Sequence, residues 1–265
     1  MREINFKKKD VENLTLYNTG GFEGRLYIYS QDLVLKIFED YLRPILDFEK
    51  KKYKLIRLKE KNMPEHILIK PHALVNIDGK FAGYTMPKIE DSIAIDSIND
   101  LRKLIKAYRI LFENLDLMHK NNITVNDIKP QNILYDKNQT PIFIDVDSMG
   151  VDELSADHQN IRTNLTKKIK GINEKEKYNN VESLDKIKLL ACFVQSLEER
   201  KSDMKYSEDV NNKPLVNKLF QSDLSLEFKT YISKVLHTDK RLDFLLQDIN
   251  EMFLREEMQE HKRRR

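Results

Sequence analysis

Residues 118–145, MHKNNITVNDIKPQNILYDKNQTPIFID, constrain this chain more than any other stretch, because they set two acids and an amide at fixed intervals among short apolar runs. Asp127 lies five residues before Asn132, and Asn132 opens the run Ile133-Leu134-Tyr135. A second run, Pro141-Ile142-Phe143-Ile144, is followed at once by Asp145. Two short buried strands joined by the polar turn between them would bring Asn132 and Asp145 to one point. Hard oxygen ligands of that kind suit Mg²⁺, and an acid standing beside them has the chemistry of a general base. The pattern meets the needs of phosphoryl transfer.

The run Val125-Asn126-Asp127-Ile128-Lys129-Pro130-Gln131-Asn132 resembles the catalytic loop of the eukaryotic-type protein kinases, His-Arg-Asp followed by Leu-Lys-Pro-Glu-Asn. Acid, lysine, proline and asparagine are in register, and Asp145, eighteen residues after Asp127, falls at the family's spacing. Val125 and Asn126 stand where the family has His and Arg, and Asp145-Val146-Asp147 stands for its Asp-Phe-Gly. The resemblance implies that Asp127 is the catalytic base and that Lys129 offsets charge on the moving phosphoryl. It also implies that Asn132 and Asp145 hold Mg²⁺. The second acid, Asp147, is expected to be dispensable for the metal.

The N-terminal part reads as a small antiparallel sheet: residues 14–17, 26–29 and 33–38 are apolar strand segments separated by turn residues. Three of the chain's seven glycines, Gly20, Gly21 and Gly24, fall in the first turn, where missing Cβ atoms let backbone amides approach a phosphate. Lys36 follows in Val34-Leu35-Lys36-Ile37, which resembles the family's lysine-bearing strand, and alternation puts Val34 and Lys36 on one face. By resemblance these glycines and Lys36 bind ATP phosphates. Lys36 is expected to pair with Glu49 in a helix over residues 45–59, with Glu60 as the fallback, while Lys50, Lys51, Lys52 and Lys54 read as a solvated face. Residues 67–69, 72–77 and 81–86 read as further strands, and the stretch around Met86 and Pro87 resembles the hinge that binds adenine.

In residues 100–120 the positions Leu101, Leu104, Ile105, Tyr108, Leu111, Phe112, Leu115 and Met118 recur at helical spacing, so this helix presents the loop at Asp127. Residues 146–180 are polar, with Thr163 and Thr166 among lysines, and by resemblance form the activation segment, although no Ala-Pro-Glu is present. Ser183-Leu184-Asp185 opens an apolar helix, with Asp185 resembling the family's buried aspartate under the catalytic loop. Residues 226–236 and 242–253 read as two more helices, Arg241 falls where the family keeps a structural arginine, and residues 257–265 read as a basic tail.

Composition limits the alternatives. With 46 basic against 43 acidic residues the net charge is only +3, no electrostatic footprint for nucleic acid. The longest apolar run, residues 189–194, is far short of the ~18 residues of a membrane span, and the first residues lack an apolar signal core. The one cysteine, Cys192, lies in that run and is expected to be a buried thiol in a reducing cytoplasm. The expected fold is therefore α+β and bilobal, protein-kinase-like: an N-lobe over residues 1–88, a mostly helical C-lobe over 89–256, and the tail. The expected activity is transfer of the ATP γ-phosphoryl to Ser or Thr of a protein substrate, with control by a partner protein or by expression. A small-molecule phosphotransferase of the same fold and an inactive kinase-like scaffold are the alternatives. The Lys129-Pro130 pair favours a protein acceptor.

Overall fold

The computed structural model describes residues 1–18, 23–156, 181–199, 219–237 and 246–263, which form a mixed α+β fold. One sheet contains β1 (Arg2–Phe6), β2 (Leu16–Asn18), β3 (Gly24–Ile28), β4 (Leu33–Phe38), β5 (Ala73–Ile77) and β6 (Lys80–Pro87), in the order β1-β5-β6-β4-β3-β2. Every pairing in it is antiparallel except that of β1 with β5. The strand β1 is an addition to the expected sheet. Its alternation is weak, and it is held by side chains as well as backbone: Asn76 donates to Glu3 and Asn5 at 3.0 and 3.1 Å.

A short helix α1 (Lys8–Val11) follows β1, and α2 (Phe48–Glu60) lies between β4 and β5. Asp47 caps α2 by accepting from the Lys50 N–H at 2.9 Å. The inward stripe of α2 is Phe48, Lys51, Lys54, Leu55 and Leu58, so two of its lysines are buried instead of lying on a solvated face. Residues 67–69 form no strand of this sheet; Ile69 N–H donates to the Phe143 carbonyl, and Phe143 N–H to that of Ile67, each at 3.0 Å.

The long helix α3 (Leu101–Lys120) keeps the expected bounds because Asp100 caps it, accepting from the N–H groups of Arg102 and Lys103 at 2.8 and 3.1 Å. Around it come β7 (Ile93–Ala94), β8 (Ile123–Thr124), β9 (Ile133–Tyr135), β10 (Pro141–Phe143) and β11 (Gly150–Val151). These pair as β10-β9-β7 and β11-β8. The helices α4 (Val181–Glu199), α5 (Leu226–His237) and α6 (Ile249–Arg263) complete the described residues. Phe253 of α6 ties three helices together, its ring 5.0 Å from Phe112, 5.0 Å from Phe193 and 4.8 Å from Phe228. Buried apolar side chains form one continuous cluster from the sheet to these helices.

The expected basic tail is instead largely the end of α6. Arg263 turns back to the Asp223 carbonyl at 2.6 Å and to Glu260 at 3.1 Å, and Glu256, buried on the same helix, accepts from the Ser225 N–H at 2.9 Å. Cys192 is a buried free thiol, and Tyr108 hydroxyl donates to it at 3.2 Å. Among the described residues no helix is long and apolar enough to cross a membrane.

Candidate active site

The loop after β8 makes a tight three-residue turn: Asn126 has φ 58° and the Asp127 N–H donates to the Val125 carbonyl at 2.7 Å. Asparagine tolerates this left-handed conformation better than most residues, which gives Asn126 a local reason to be there. The turn rests on Asp185 of α4, a wholly buried carboxylate. It accepts from Val125 N–H at 2.8 Å, Asn126 N–H at 2.7 Å and His119 Nε2 at 3.1 Å. Asp185 is thus the floor of the loop, as the resemblance implies. A second support, Lys188, lies one turn further along α4, and no motif or spacing in the chain announces it. Its Nζ donates to the Asn126 carbonyl and Oδ1. Burial pulls the Lys188 ammonium below its usual range, against the attraction of Asp185 and Asp127.

Above that floor, Asp127 is half-buried. Its Oδ2 accepts from Lys129 Nζ at 2.8 Å and from Asn132 Nδ2 at 2.9 Å. Asn132 Nδ2 also donates to the Asp127 carbonyl at 2.9 Å, which fixes the amide and directs its oxygen the other way. The Ile144 N–H donates to the Asn132 carbonyl at 2.9 Å, so the end of β10 lies directly against the loop and delivers Asp145 beside Asn132. Asp145 itself has φ 63°. The Ser148 hydroxyl donates to its carbonyl at 2.8 Å, closing the turn that follows.

Lys36 reaches this turn from β4. It is nearly buried, at 7% exposure, and donates to both Asp145 and, at 2.6 Å, to Asp147 Oδ1. Asp147 is wholly buried and holds two further donors: Tyr84 hydroxyl at 2.8 Å on Oδ1 and Lys51 Nζ at 3.1 Å on Oδ2. Tyr84 sits opposite Lys36 in the β4–β6 register, so strand pairing aims both at one carboxylate. Lys51, 1% exposed, also donates to Glu23 at 2.8 Å. Burial opposes the charge of Asp147, but Lys36 and Lys51 outweigh it and hold its carboxyl well below the ordinary range. Burial also opposes the Lys36 charge, and Asp145 and Asp147 more than compensate, so its ammonium is held above its ordinary range. Asp145 moves the other way: burial and the neighbouring Asp147 charge raise its carboxyl, against the pull of Lys36.

Several expected site residues fall elsewhere. Glu49 is exposed on the outer face of α2 and does not meet Lys36, and Glu60 is exposed as well. The helix presents Lys51 where a carboxylate was expected, and its spacing from Phe48, Leu55 and Leu58 is the signal that could have found it. Asp147 is no spare acid but the anchor of three donors. Gly24 is packed in β3, where a Cβ would lie 2.6 Å from the Ile37 carbonyl oxygen, so its glycine is needed for strand approach. Gly20 and Gly21 lie outside the described residues, as do Thr163, Thr166 and Arg241. Met86 is a buried residue of β6 opposite Val34, and the Lys88 N–H just beyond Pro87 is spent on the Asp32 carbonyl at 2.9 Å.

Among the described residues no three His, Cys, Asp or Glu side chains are arranged to hold a metal ion. The amide oxygen of Asn132 and the Asp145 carboxylate nevertheless fit Mg²⁺. This ion takes one or two protein oxygens and fills its remaining positions with water and substrate phosphate. Zinc or another ion wanting a complete protein cage is a poorer match. No family model matches this sequence, and no curated protein matches it.

Proposed function

We propose that this chain is an ATP- and Mg²⁺-dependent phosphotransferase with a bilobal protein-kinase-like fold, a sheet-bearing lobe to about residue 88 and a mostly helical lobe after it. The observation that carries the reading is one connected run of hydrogen bonds, joined at one step by the Ile144–Asp145 peptide link. Lys36 meets Asp145, Ile144 meets Asn132, Asn132 meets Asp127, and Asp127 meets Lys129. Residues from distant parts of the chain thereby supply a phosphate cation, two metal-ligating oxygens, a base and a second cation at one place.

In the proposed reaction the acceptor is a Ser or Thr hydroxyl of a protein. Asp127 orients the hydroxyl and takes its proton as the new O–P bond forms and the bond from the γ-phosphorus to the ADP oxygen breaks. Lys129, already on Asp127 Oδ2, lies where charge on the transferring group is to be offset. Lys36 orients the ATP phosphates. Asn132 and Asp145 would hold Mg²⁺, which would supply charge neutralisation at the phosphates. The site of action is taken to be the cytoplasm, with a protein substrate and control by a partner.

The test is incubation of the purified protein with γ-labelled ATP, Mg²⁺ and a cell lysate. Label on protein Ser or Thr supports the reading. Label only on a small molecule moves the acceptor to the small-molecule class. Nucleotide binding with no transfer to anything supports a scaffold, a reading favoured by one feature, the direct pairing of Lys36 with the metal-ligating Asp145.

A further inference from the structure

The two buried lysines of the site are already matched by acids. Lys36 pairs with Asp145 and Asp147, and Lys51 with Asp147 and Glu23, so no positive charge is left over to receive a phosphate. An anion can gain Lys36 only if another cation takes one of its two acids, and those acids are not equally replaceable. The Asp147 side chain is 0% exposed and holds Tyr84 and Lys51 besides Lys36, at 2.8 and 3.1 Å, so it has no face open to a newcomer. The Asp145 side chain is 30% exposed, and Lys36 is the cation on it. It also stands beside Asn132, the other oxygen ligand suited to a hard cation, because the preceding Ile144 N–H is bonded to the Asn132 carbonyl.

We propose that Lys36 and Asp145 form an exchangeable pair: Asp145 leaves Lys36 for a divalent cation, Asp147 keeps the ammonium in place, and only then is Lys36 free to bond a phosphate oxygen. This rests on the reading of the site as one for Mg²⁺ and ATP. An ammonium has three donors, so the donor released by Asp145 is the one that turns to the ligand while another stays on Asp147. Asp147 is then a positioning residue, and its bonds to Tyr84 and Lys51 are what keep it from following the exchange. The direct pairing of Lys36 with Asp145 thereby gains a place in an active enzyme, as the state of the site before metal and nucleotide arrive.

The experiment is titration of the full chain with Mn²⁺ alone, read from the paramagnetic resonance of the free ion, and with ATP by calorimetry, once with Mg²⁺ and once in excess EDTA. Mn²⁺ is the probe because it shares the oxygen preference of Mg²⁺. Lys36→Met should tighten Mn²⁺ binding by about ten-fold, the scale of one charge-assisted bond that the metal no longer has to displace, and weaken Mg²⁺·ATP binding by about as much. A side chain serving the fold alone would not move the two ligands in opposite directions. Lys129→Met removes an equal charge from the same site but no bond to Asp145, and its exposed, screened charge should change Mn²⁺ binding by less than about two-fold. Asp145→Asn should bind ATP in EDTA about ten-fold more tightly than wild type does, because it releases Lys36 without a metal, and this arm stands should Lys36→Met fail to fold. Unchanged or weaker Mn²⁺ binding in Lys36→Met, an equal gain in Lys129→Met, or no gain of metal-free ATP binding in Asp145→Asn overturns the exchange. Wild-type protein that binds ATP under neither condition overturns the reading of the site itself, a result distinct from those.

Discussion

Lys188 donates to both the backbone carbonyl and the side-chain oxygen of Asn126, at 2.7 and 2.9 Å. The residue just before the proposed base is therefore held from below by a cation on α4. Resemblance to protein kinases would put an arginine there, able to receive a phosphate from the activation segment. Asn126 is buried and already bonded, and a neutral amide cannot engage a dianionic phosphate as a guanidinium does. The loop is ordered by an internal charge instead of an added one.

Phosphatase-treated protein should accordingly keep its phosphotransfer rate, and Thr163→Ala and Thr166→Ala should change it little. By contrast Lys188→Met should lower the rate about ten-fold and destabilise the fold by about 1–3 kcal/mol, because a buried carbonyl and amide oxygen lose their donor. Rates before and after phosphatase, with thermal melts of the variant, check both halves. A rate lost on dephosphorylation and regained on autophosphorylation would count against the internal support.

Asp127→Ala should remove phosphotransfer while sparing nucleotide binding, since the side chain makes its bonds to Lys129 and Asn132 and none to Lys36. Loss of a general base costs ~10²–10⁴ in rate. Paired turnover and calorimetric measurements decide, and near-normal turnover would remove Asp127 from the catalytic role.

The two acids of the Asp145-Val146-Asp147 turn should fail differently. Asp145→Asn should abolish the Mg²⁺ dependence of nucleotide binding and lower the melting temperature less than Asp147→Asn does, its carboxylate being partly open to solvent and Lys36 keeping Asp147 as a partner. Asp147→Asn should lower the melting temperature, because two buried ammonium groups lose their shared counter-charge, a change of roughly 3–5 kcal/mol when a buried pair is broken. Titrations with and without Mg²⁺, read beside melts, separate the two outcomes.

Gly83→Ala should damage the site without touching it. A Cβ at Gly83 would overlap the Lys36 carbonyl oxygen and lie 3.0 Å from its carbon, so β4 and β6 must part where Lys36 and Tyr84 are aimed at Asp147. We expect a loss of about 1–3 kcal/mol, the usual cost of overpacking, together with weaker Mg²⁺·ATP binding. A variant as stable as wild type with unchanged affinity would show that the strands accommodate the methyl group.

What the sequence made legible was the part whose physics is local. The helix α3 has an eight-position apolar stripe and an aspartate cap, and β9 and β10 are short apolar runs bounded by polar turns, so their bounds and the Asp127–Asn132–Asp145 grouping could be read directly. Lys51 was misread because a lysine in a lysine-rich run looks solvated, and only the positions of Phe48, Leu55 and Leu58 place it inward. Asp147 looked redundant beside Asp145 because the donors that make it an anchor come from residues 36, 51 and 84, which no spacing links to it. The strand β1 pairs with residues some seventy positions away, and its short polar sequence carries no periodic signal strong enough to announce that partner.

The strand β10 is bonded on both sides, to β9 and to residues 67–69, which lead into β5. The acid proposed to carry the metal is thus tethered to the sheet side of the molecule as well as to α3. A rotation of the six-stranded sheet relative to α3 that kept these bonds would turn close to Phe143. Residues near a pivot travel least, so Asp145 would stay almost stationary while β3 and β2, at the far edge of the sheet, swept through the widest arc. Such a rotation would move that edge of the sheet and leave Asp145 in place.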